Sequence, residues 1–219
     1  MTKLRHVQLS AFPDLQPDKP IGYILPSVFQ GTNADLMAAV APYYLTGSVC
    51  DLTYGEGKWW DRFKPDPFVA HDKYKLDGVD FTALPEADNT YDTVCFDPPY
   101  ILTGGEATKE RAAAHRGAFG LTVGESLDGL EALFRDGMSE AARVARHWVL
   151  VKCMDATTST SLWFGHLRII AHAEAVGLGE PWDLIVHHTG SGPGGHNIFD
   201  PKRARRHHSY LLVFRKGIA

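Results

Sequence analysis

The apolar positions of the chain alternate between two spacings, and this alternation predicts strands interleaved with helices. Short apolar runs are typical of buried strands, and stretches in which apolar residues recur every three or four positions are typical of helices. The predicted strands read SVCDL, PFVAHD, VDFTAL, YDTVCFD, HWVLVKCMD, WDLIVHH and SYLLVFRK. The predicted helices lie in the segments 32–44, 57–63, 127–146 and 159–177, with caps at Thr32 or Asn33 for the first and at Ser159 or Ser161 for the last.

Strands that alternate with helices predict an α/β fold, in which a mostly parallel sheet is covered by helices on both faces. A chain of 219 residues suits a single domain, 1–219, with an irregular lead-in over 1–26. Two long segments, 101–126 and 189–208, fit no helix or strand and are rich in glycine and charge. Loops of this length in a compact domain are usually functional or mobile, and we expect both to border the substrate.

Composition narrows the setting of the protein. The net charge of -4 means that any binding of nucleic acid must use a local basic patch. Cys50, Cys95 and Cys153 each lie inside an apolar run and form no CxxC pair, which favours buried, reduced thiols. The N-terminal segment has no apolar signal-like core, and no run approaches the ~20 apolar residues of a membrane span. We expect a cytoplasmic protein.

Acidic and glycine residues follow several predicted strands, where an open parallel sheet binds its ligands. The first strand ends in Asp51 and a turn that contains Gly55 and Gly57, with Tyr54 before them. The next strand ends in Asp72. An Asp80–Phe81 pair and the tetrad DPPY, residues 97–100, come later. Each signal taken alone has a structural explanation: a tight loop, a solvated acid or a strand stopped by proline.

The order of these signals resembles that of the class I S-adenosylmethionine-dependent methyltransferases, and specifically the amino-group methyltransferases of DNA. The matching stretches are DLTYGEG (51–57), HD (71–72), DFTALP (80–85), DPPY (97–100) and HHSYLLVFRK (207–216). The resemblance implies a Rossmann-like class I methyltransferase fold with a seven-stranded sheet. It also implies S-adenosyl-L-methionine as the cofactor, held by residues from the first three stretches: Asp51, Tyr54, Gly55, Gly57, Asp72, Asp80 and Phe81. Asp72 would bind the ribose hydroxyls, and the Asp80–Phe81 pair would hold the adenine.

The DPPY tetrad has a chemical rationale in this family. An exocyclic amino nitrogen is a poor nucleophile because its lone pair is delocalised into the ring. Acceptors for its two hydrogens, the Asp97 carboxylate and the Pro98 carbonyl, would favour a pyramidal nitrogen. Pro98 and Pro99 fix the backbone before the substrate arrives, and Tyr100 can stack on the base. The resemblance favours adenine N6 in DNA, and the base must be flipped out or single-stranded to enter such a pocket.

Two groups of basic residues are candidates for binding the nucleic-acid backbone. The segment after the tetrad contains Lys109, Arg111 and Arg116, and the segment before the last strand contains Lys202, Arg203, Arg205 and Arg206. Local positive charge of this kind is what phosphate contacts require. The alternative is a solvated basic loop beside acidic residues. The histidines at 187, 188, 196, 207 and 208 match no zinc spacing, and we expect no metal.

Four other functions remain open at this point. A short chain without a large target-recognition region is compatible with an RNA methyltransferase acting on adenine N6 or guanine N2. A cytosine-N4 DNA methyltransferase would use the same chemistry. A non-catalytic nucleic-acid-binding module could have the same fold, although the intact tetrad argues against it. A dehydrogenase is disfavoured because Trp60 replaces the third glycine of the dinucleotide-binding motif.

Overall fold

The computed structural model describes residues 24–98, 127–157, 162–190 and 206–217. The predictions for Pro99 and Tyr100, for the segment 101–126, and for most of the segments 1–26 and 189–208 concern residues outside these ranges. The described strands are β1 (Val28–Gln30), β2 (Val49–Asp51), β3 (Phe68–Ala70), β4 (Tyr91–Phe96), β5 (Ala145–Cys153), β6 (Ala156–Thr157), β7 (Leu162–Trp163), β8 (Asp183–His188) and β9 (Ser209–Arg215). The described helices are α1 (Asn33–Tyr44), α2 (Leu127–Val144) and α3 (Gly165–Ala175).

Seven of these strands form one sheet in the order β3-β2-β4-β5-β9-β8-β1. Every neighbouring pair is parallel except the two pairs that include β9, which runs antiparallel to both β5 and β8. The start of β9 therefore lies at the same edge as the carboxyl ends of the other strands. β6 and β7 form a separate two-stranded ribbon. The arrangement confirms the predicted α/β, Rossmann-like fold.

Helices cover both faces of the sheet. Successive side chains of a strand point to opposite faces, and apolar side chains on both faces are buried only if each face is covered. On one face, Leu36 and Val40 of α1 pack in a cluster that includes Leu150 of β5. On the other face, Phe134 of α2 belongs to a cluster that includes Val151, the next residue of β5. A helix on each side explains why β5 reads as a continuous apolar run instead of an alternating one.

The start of α1 confirms the cap predicted at Thr32. The Thr32 hydroxyl accepts a hydrogen bond of 3.1 Å from the backbone N–H of Asp35, and the Asp35 carboxylate accepts one of 2.9 Å from the backbone N–H of Thr32. This reciprocal pair is a capping box, which satisfies two backbone donors at the helix start. Arg62 adds an ion pair of 3.0 Å to Asp35 and ties the helix start to the segment after the glycine turn.

The predicted strand 79–84 is wrong, and so is the predicted helix 57–63. Asp80 accepts hydrogen bonds of 3.0 and 2.8 Å from the N–H and hydroxyl of Thr82, and its carbonyl accepts one of 2.9 Å from the N–H of Ala83, which makes a turn. The helix is a single 3-10 turn, Lys58–Trp60. The seventh strand of the sheet is instead β1, which pairs in parallel with β8 and is too short for its pattern to stand out.

The start of α3 also differs from the sequence prediction. The helix begins at Gly165, and its N-cap Phe164 offers no side-chain hydrogen bond; Ser159 and Ser161 lie outside the described ranges. A Cβ at Gly165 would come within 2.4 Å of the carbonyl oxygen of Met154, so the helix start is fixed by close packing against the chain after β5. The predicted end is confirmed, because Gly177 follows the helix with a φ of 82°.

Candidate active site at the carboxyl edge of the sheet

The carboxyl ends of β2, β3 and β4 bring three of the predicted site residues to one edge. Asp51 is the last residue of β2, Asp72 follows β3 by two residues, and Asp97 directly follows β4. Because these strands are neighbours and parallel, their ends meet where an open α/β sheet binds its ligands. The sequence placed all three residues correctly at strand ends.

The glycine turn after β2 is held to the neighbouring strand end by its backbone. The N–H of Tyr54 donates a 3.0 Å hydrogen bond to the carbonyl of His71, and the N–H of Gly55 donates one of 2.8 Å to Asp72 Oδ2. Gly55 has a φ of 56°, and a Cβ there would meet no atom closer than the Thr53 carbonyl oxygen at 3.9 Å. The backbone at Gly55 therefore faces open space, which lets a ligand approach the chain closely.

Gly57 serves a different purpose from Gly55. Its φ is 70°, and a Cβ there would lie 2.5 Å from the hydroxyl of Tyr54. The Gly57 N–H donates a 2.8 Å hydrogen bond to the Tyr54 carbonyl and closes the turn. Tyr54 thus folds back over the glycine turn, and Gly57 makes room for its ring.

Asp51 is almost fully buried and bound from two sides. Its Oδ1 accepts a 2.9 Å hydrogen bond from the N–H of Thr53, and its Oδ2 accepts one of 2.7 Å from the indole N–H of Trp60. Burial raises the pKa of Asp51 to about 7, although both hydrogen bonds act in the opposite direction. In the sequence, Trp60 was only evidence against a dinucleotide-binding motif. In the structure it is a hydrogen-bond partner of the Asp51 carboxylate.

Asp72 is largely occupied by backbone donors. Oδ2 accepts from Gly55, and Oδ1 accepts hydrogen bonds of 2.9 and 2.8 Å from the N–H groups of Tyr74 and Lys75. A carboxylate offers about four lone-pair directions, so about one remains for an additional donor. Binding both ribose hydroxyls, as the resemblance implies, would require Asp72 to share or exchange one of these contacts.

Asp80 and Phe81 lie near the site but have other contacts. Asp80 pairs with Lys73 at 2.6 Å; burial acts to raise the pKa of Asp80, but the hydrogen bonds from Lys73 and Thr82 outweigh it and lower the pKa. Phe81 is buried and packs against Phe96, with ring centroids 5.2 Å apart. The adenine-binding role of this pair stays a prediction.

Asp97 joins the end of β4 to the glycine turn. Its backbone N–H donates a 2.8 Å hydrogen bond to the hydroxyl of Thr53. Its side-chain Oδ1 is enclosed and has no hydrogen-bond partner among the described residues. Burial raises the pKa of Asp97, and the positive charge of Lys152 opposes that shift. Pro98 is buried directly after it. An enclosed carboxylate oxygen usually has a donor, so this oxygen makes Asp97 a candidate for binding a ligand.

Two further residues lie along the same edge: Lys152, which the sequence analysis did not single out, and His187, which it considered only as a metal ligand. Lys152 is a buried cation near the end of β5, and His187 is buried near the end of β8. The His187 Nε2–H donates a 2.9 Å hydrogen bond to the carbonyl of Gly31. Burial lowers the pKa of His187, and Lys152 adds to that shift. The signal for Lys152 in the sequence was a lysine enclosed between apolar residues, Val151 and Cys153, which is unusual unless its charge is balanced.

A second cluster of polar side chains lies at the same edge of the sheet, contributed by α3, β9 and the residues that follow β5. Asp155 accepts a 2.6 Å hydrogen bond from the Nδ1–H of His166 and one of 3.3 Å from the hydroxyl of Tyr210. The Tyr210 hydroxyl in turn lies 3.0 Å from the Nε2 of His208. The Nε of Arg206 is enclosed and has no partner within the described part of the chain.

The remaining predicted substrate contacts lie outside the described residues. These are Pro99, Tyr100, Lys109, Arg111, Arg116, Lys202, Arg203 and Arg205. Over the ranges that are described, no cluster of three or more His, Cys, Asp or Glu side chains is arranged to hold a metal ion. Over the same ranges, no helix has the length and apolar character needed to cross a membrane.

Comparison with known proteins gives similar folds at low identity. No protein-family model matches the chain, and no curated protein matches it. A SAM-dependent methyltransferase from Thermotoga maritima aligns over 83% of this chain and 87% of its own, with 11% identity and a TM-score of 0.48. The 1,6-didemethyltoxoflavin-N1-methyltransferase of Burkholderia thailandensis aligns over 84% and 76%, with 10% identity and a TM-score of 0.45.

A protein from Thermus thermophilus assigned as a DNA modification methylase, in complex with S-adenosyl-L-methionine, aligns over 80% of this chain. The match covers 57% of the methylase, with 14% identity and a TM-score of 0.36. At these identities the likeness concerns the fold alone. The fold assignment rests on the strand order and directions of the sheet, and the chemistry rests on the residues at its carboxyl edge.

Proposed function

We propose that the protein transfers a methyl group from S-adenosyl-L-methionine to the exocyclic amino group of a nucleic-acid base, adenine N6 in DNA. One observation carries the proposal: Asp97, with an enclosed and unpartnered Oδ1, is hydrogen-bonded through its N–H to Thr53 of the glycine turn. A hydrogen-bond acceptor for an amino group thus stands directly beside the turn that would hold the methyl donor.

The glycine turn has the features that a cofactor with a nucleoside and an amino-acid end requires. Gly55 presents bare backbone to open space, and the Asp72 carboxylate beside it retains about one acceptor position for a ribose hydroxyl. The Asp51 carboxylate stabilises the turn by accepting hydrogen bonds from the N–H of Thr53 and the indole N–H of Trp60. S-adenosyl-L-methionine would supply an electrophilic methyl group on a sulfonium, and no metal is needed for that chemistry.

Asp97 and Pro98 would act on the nitrogen that is methylated. The Asp97 carboxylate accepts one N–H of the amino group and the Pro98 carbonyl accepts the other. Both acceptors draw the hydrogens away from the plane of the base and expose the nitrogen lone pair. Proline fixes the backbone φ, so the carbonyl is held in place before the substrate binds. Positioning of the nitrogen in line with the methyl group lowers the barrier further.

The proton released by the reaction also has an acceptor in this site. As the N–CH3 bond forms, the S–CH3 bond of the sulfonium would break and the donor would leave as the neutral thioether. The methylated nitrogen then carries the positive charge and loses a proton to become the neutral methylated amine. A carboxylate whose pKa is raised by burial, as that of Asp97 is, binds this proton more readily than an exposed one. Asp97 does not need to deprotonate the amine before the transfer, because an aromatic amine is far too weak an acid.

Contacts to the nucleic-acid backbone would come from the basic residues of the segments 101–126 and 189–208. Of these residues, Arg206 is described, and the enclosed Nε without a partner supports a role in binding an anionic oxygen. We propose that both segments belong to the single catalytic domain and border the flipped or single-stranded base.

One assay tests the proposal. Purified protein is incubated with methyl-labelled S-adenosyl-L-methionine and, separately, with duplex DNA, single-stranded DNA and RNA, and the products are digested to nucleosides. Label in N6-methyldeoxyadenosine is the expected result. The Asp97→Ala variant, checked for folding by circular dichroism and for cofactor binding by calorimetry, is the matched control and should give no label.

The other outcomes are equally informative. Label in N4-methyldeoxycytidine would reassign the base, and label in RNA nucleosides alone would reassign the polymer. Cofactor binding without transfer to any of the three nucleic acids would contradict the proposal and favour a non-catalytic module.

A further inference from the structure

Lys152 is a charged residue that follows the apolar run 148–151 of β5, and only 4% of it is exposed. It lies one residue before the end of β5, with Val151 and Cys153 fully buried on either side. Lysine is almost never buried to this degree unless its charge is balanced. The ammonium is therefore part of a specific arrangement at the carboxyl edge of the sheet.

The strand register places Lys152 beside Asp97. β4 and β5 are parallel, and the last pair in their register is Phe96 with Val151. One step further along each chain come Asp97 and Lys152. Neighbouring strands are about 4.8 Å apart, so the two backbones are adjacent at this level.

The two side chains also point to the same face of the sheet. Cys95 of β4 and Leu150 of β5 belong to the cluster on the α1 side. Side chains two positions apart in a strand share a face, which puts Asp97 and Lys152 on that side as well. The adjacency and the shared face bring opposite charges together in a buried setting, and the positive charge of Lys152 indeed acts on Asp97.

The other titratable groups near this pair add no further positive charge near neutral pH, although Asp51 is about half ionised there. Burial raises the pKa of Asp51, on β2, to about 7 and raises the pKa of the Cys153 thiol far above neutrality. Burial lowers the pKa of His187, on β8, which favours its neutral form. Within the described residues, Lys152 is thus the cation whose charge bears on Asp97.

We propose that Lys152 is a positioning residue for the methyl transfer: its buried ammonium keeps the Asp97 carboxylate ionised and so able to accept an N–H of the target amino group. The inference rests on the proposed function. Without this cation, the enclosed Asp97 side chain would hold a proton of its own and offer a donor where the reaction requires an acceptor. After the transfer, the same ammonium favours passage of the acquired proton from Asp97 to water.

The protonation of Asp97 can be measured without any transfer reaction. The infrared band of the protonated Asp97 carboxyl is followed against pH in the full-length protein and identified by its loss in Asp97→Asn. In Lys152→Met, which keeps most of the length of the side chain and removes the charge, the titration midpoint should rise by about one pH unit or more. In Lys152→Arg, which keeps the charge, it should stay near the wild-type value. An unchanged midpoint in Lys152→Met overturns the proposal; if that variant does not fold, Lys152→Gln takes its place.

The transfer reaction gives a second readout. We expect the pH profile of kcat in Lys152→Met to move upward by about one pH unit, with recovery at higher pH and an unchanged affinity for S-adenosyl-L-methionine. A loss of kcat that is equal at every pH would indicate a merely structural role and overturn the proposal. If the midpoint shifts in Lys152→Met but the wild-type protein methylates no nucleic acid, the charge pairing is upheld and the proposed function is rejected.

Discussion

The backbone N–H of Asp97 donates a 2.8 Å hydrogen bond to the hydroxyl of Thr53 and thereby joins the end of β4 to the turn after β2. Thr53 in turn donates its own N–H to Asp51 Oδ1 at 2.9 Å. A residue that carried no signal in the sequence thus connects the two halves of the candidate site. The position of the Asp97 carboxylate, the proposed acceptor, depends on this connection.

Replacing Thr53 by valine should move Asp97 without changing the size of the side chain. The hydroxyl is lost, the Asp97 N–H loses its partner, and a partly buried donor without a partner costs about 1–2 kcal/mol of stability. We expect kcat to fall more than the affinity for S-adenosyl-L-methionine, as steady-state kinetics and calorimetry would show. Thr53→Ser keeps the hydroxyl and should retain most of the activity; equal kcat in both variants would contradict the role of this bond.

Replacing Asp97 by asparagine should separate folding from catalysis. The amide keeps the shape but removes the negative charge, and one of its two terminal atoms becomes a donor. We expect a loss of about 10²–10³-fold in kcat, the size typical for removing one preorganised electrostatic contact, with cofactor binding retained. Rates under saturating cofactor check this expectation, and wild-type rates in Asp97→Asn would refute the acceptor role.

Replacing Gly55 by alanine should impair cofactor binding beyond its effect on stability. The residue has a φ of 56°, which costs an alanine about 1 kcal/mol, and the new methyl group would project into the open space beside Asp72. Gly177→Ala is the matched control, since Gly177 also has a positive φ, 82°, with no atom near a Cβ, but follows α3. Both variants should lower the melting temperature similarly. Calorimetry should show weakened cofactor binding in Gly55→Ala alone, and equal affinities would contradict the placement of the cofactor.

The raised pKa of Asp51 should make the free energy of unfolding fall as the pH rises towards 7. Its pKa is raised to about 7 in the folded chain, so the protonated form is favoured by folding. The stabilisation is complete below the ordinary carboxyl pKa and is lost as the pH rises through the folded value. Between pH 5 and 7 the loss that Asp51 causes should amount to about 2 kcal/mol in urea unfolding, and the pH dependence should be smaller by that amount in Asp51→Asn, where the raised pKa of Asp97 still contributes.

Asp92 provides a control of opposite sign for that measurement. Burial acts to raise its pKa, but the hydrogen bonds from Ser48 and Arg146 outweigh it and lower the pKa. Its contribution is therefore present above the ordinary carboxyl pKa and is lost only on acidification. Asp92→Asn should leave the pH dependence between 5 and 7 as in the wild type. A wild-type slope that survives in Asp51→Asn would show that another group is responsible.

Arg206 should contribute to nucleic-acid affinity through charge. Arg206→Ala should weaken binding of single-stranded DNA and reduce the slope of log affinity against log salt by about one. Arg215→Ala is the control, because the Arg215 guanidinium lies over Trp148 and Trp182 at the opposite end of β9. Fluorescence anisotropy at several salt concentrations would measure both slopes. An unaltered slope in Arg206→Ala would favour a solvated basic loop.

Much of the fold follows from the hydrophobic pattern, since buried parallel strands and amphipathic helices have distinct periods. The pattern failed where local polar contacts compete with it, as at Asp80, whose side chain builds a turn inside an apolar run. It also failed for β1, where three residues carry too little periodicity. Glycine and acid positions marked the candidate site because tight turns and strand ends leave a trace in the sequence.

The interactions between residues of the candidate site were harder to predict from the sequence. Nothing in the sequence paired Trp60 with Asp51 or placed the charge of Lys152 beside Asp97, because such relationships depend on strand register and on which face of the sheet a residue occupies. Asp72 shows the converse: its position was predicted, but its engagement with backbone donors was not, since three N–H groups converge on it only in the folded turn.

The antiparallel direction of β9 has a consequence for how such a protein can change. β8 ends and β9 begins at the edge of the sheet where the candidate site lies. Both ends of the connection between them are therefore next to the site, and β8 and β9 pair along the rest of their length. A connection of another length or sequence could be exchanged there without altering a single strand pairing. The fold thus offers a place where substrate preference can evolve, or be engineered by grafting, independently of the catalytic framework.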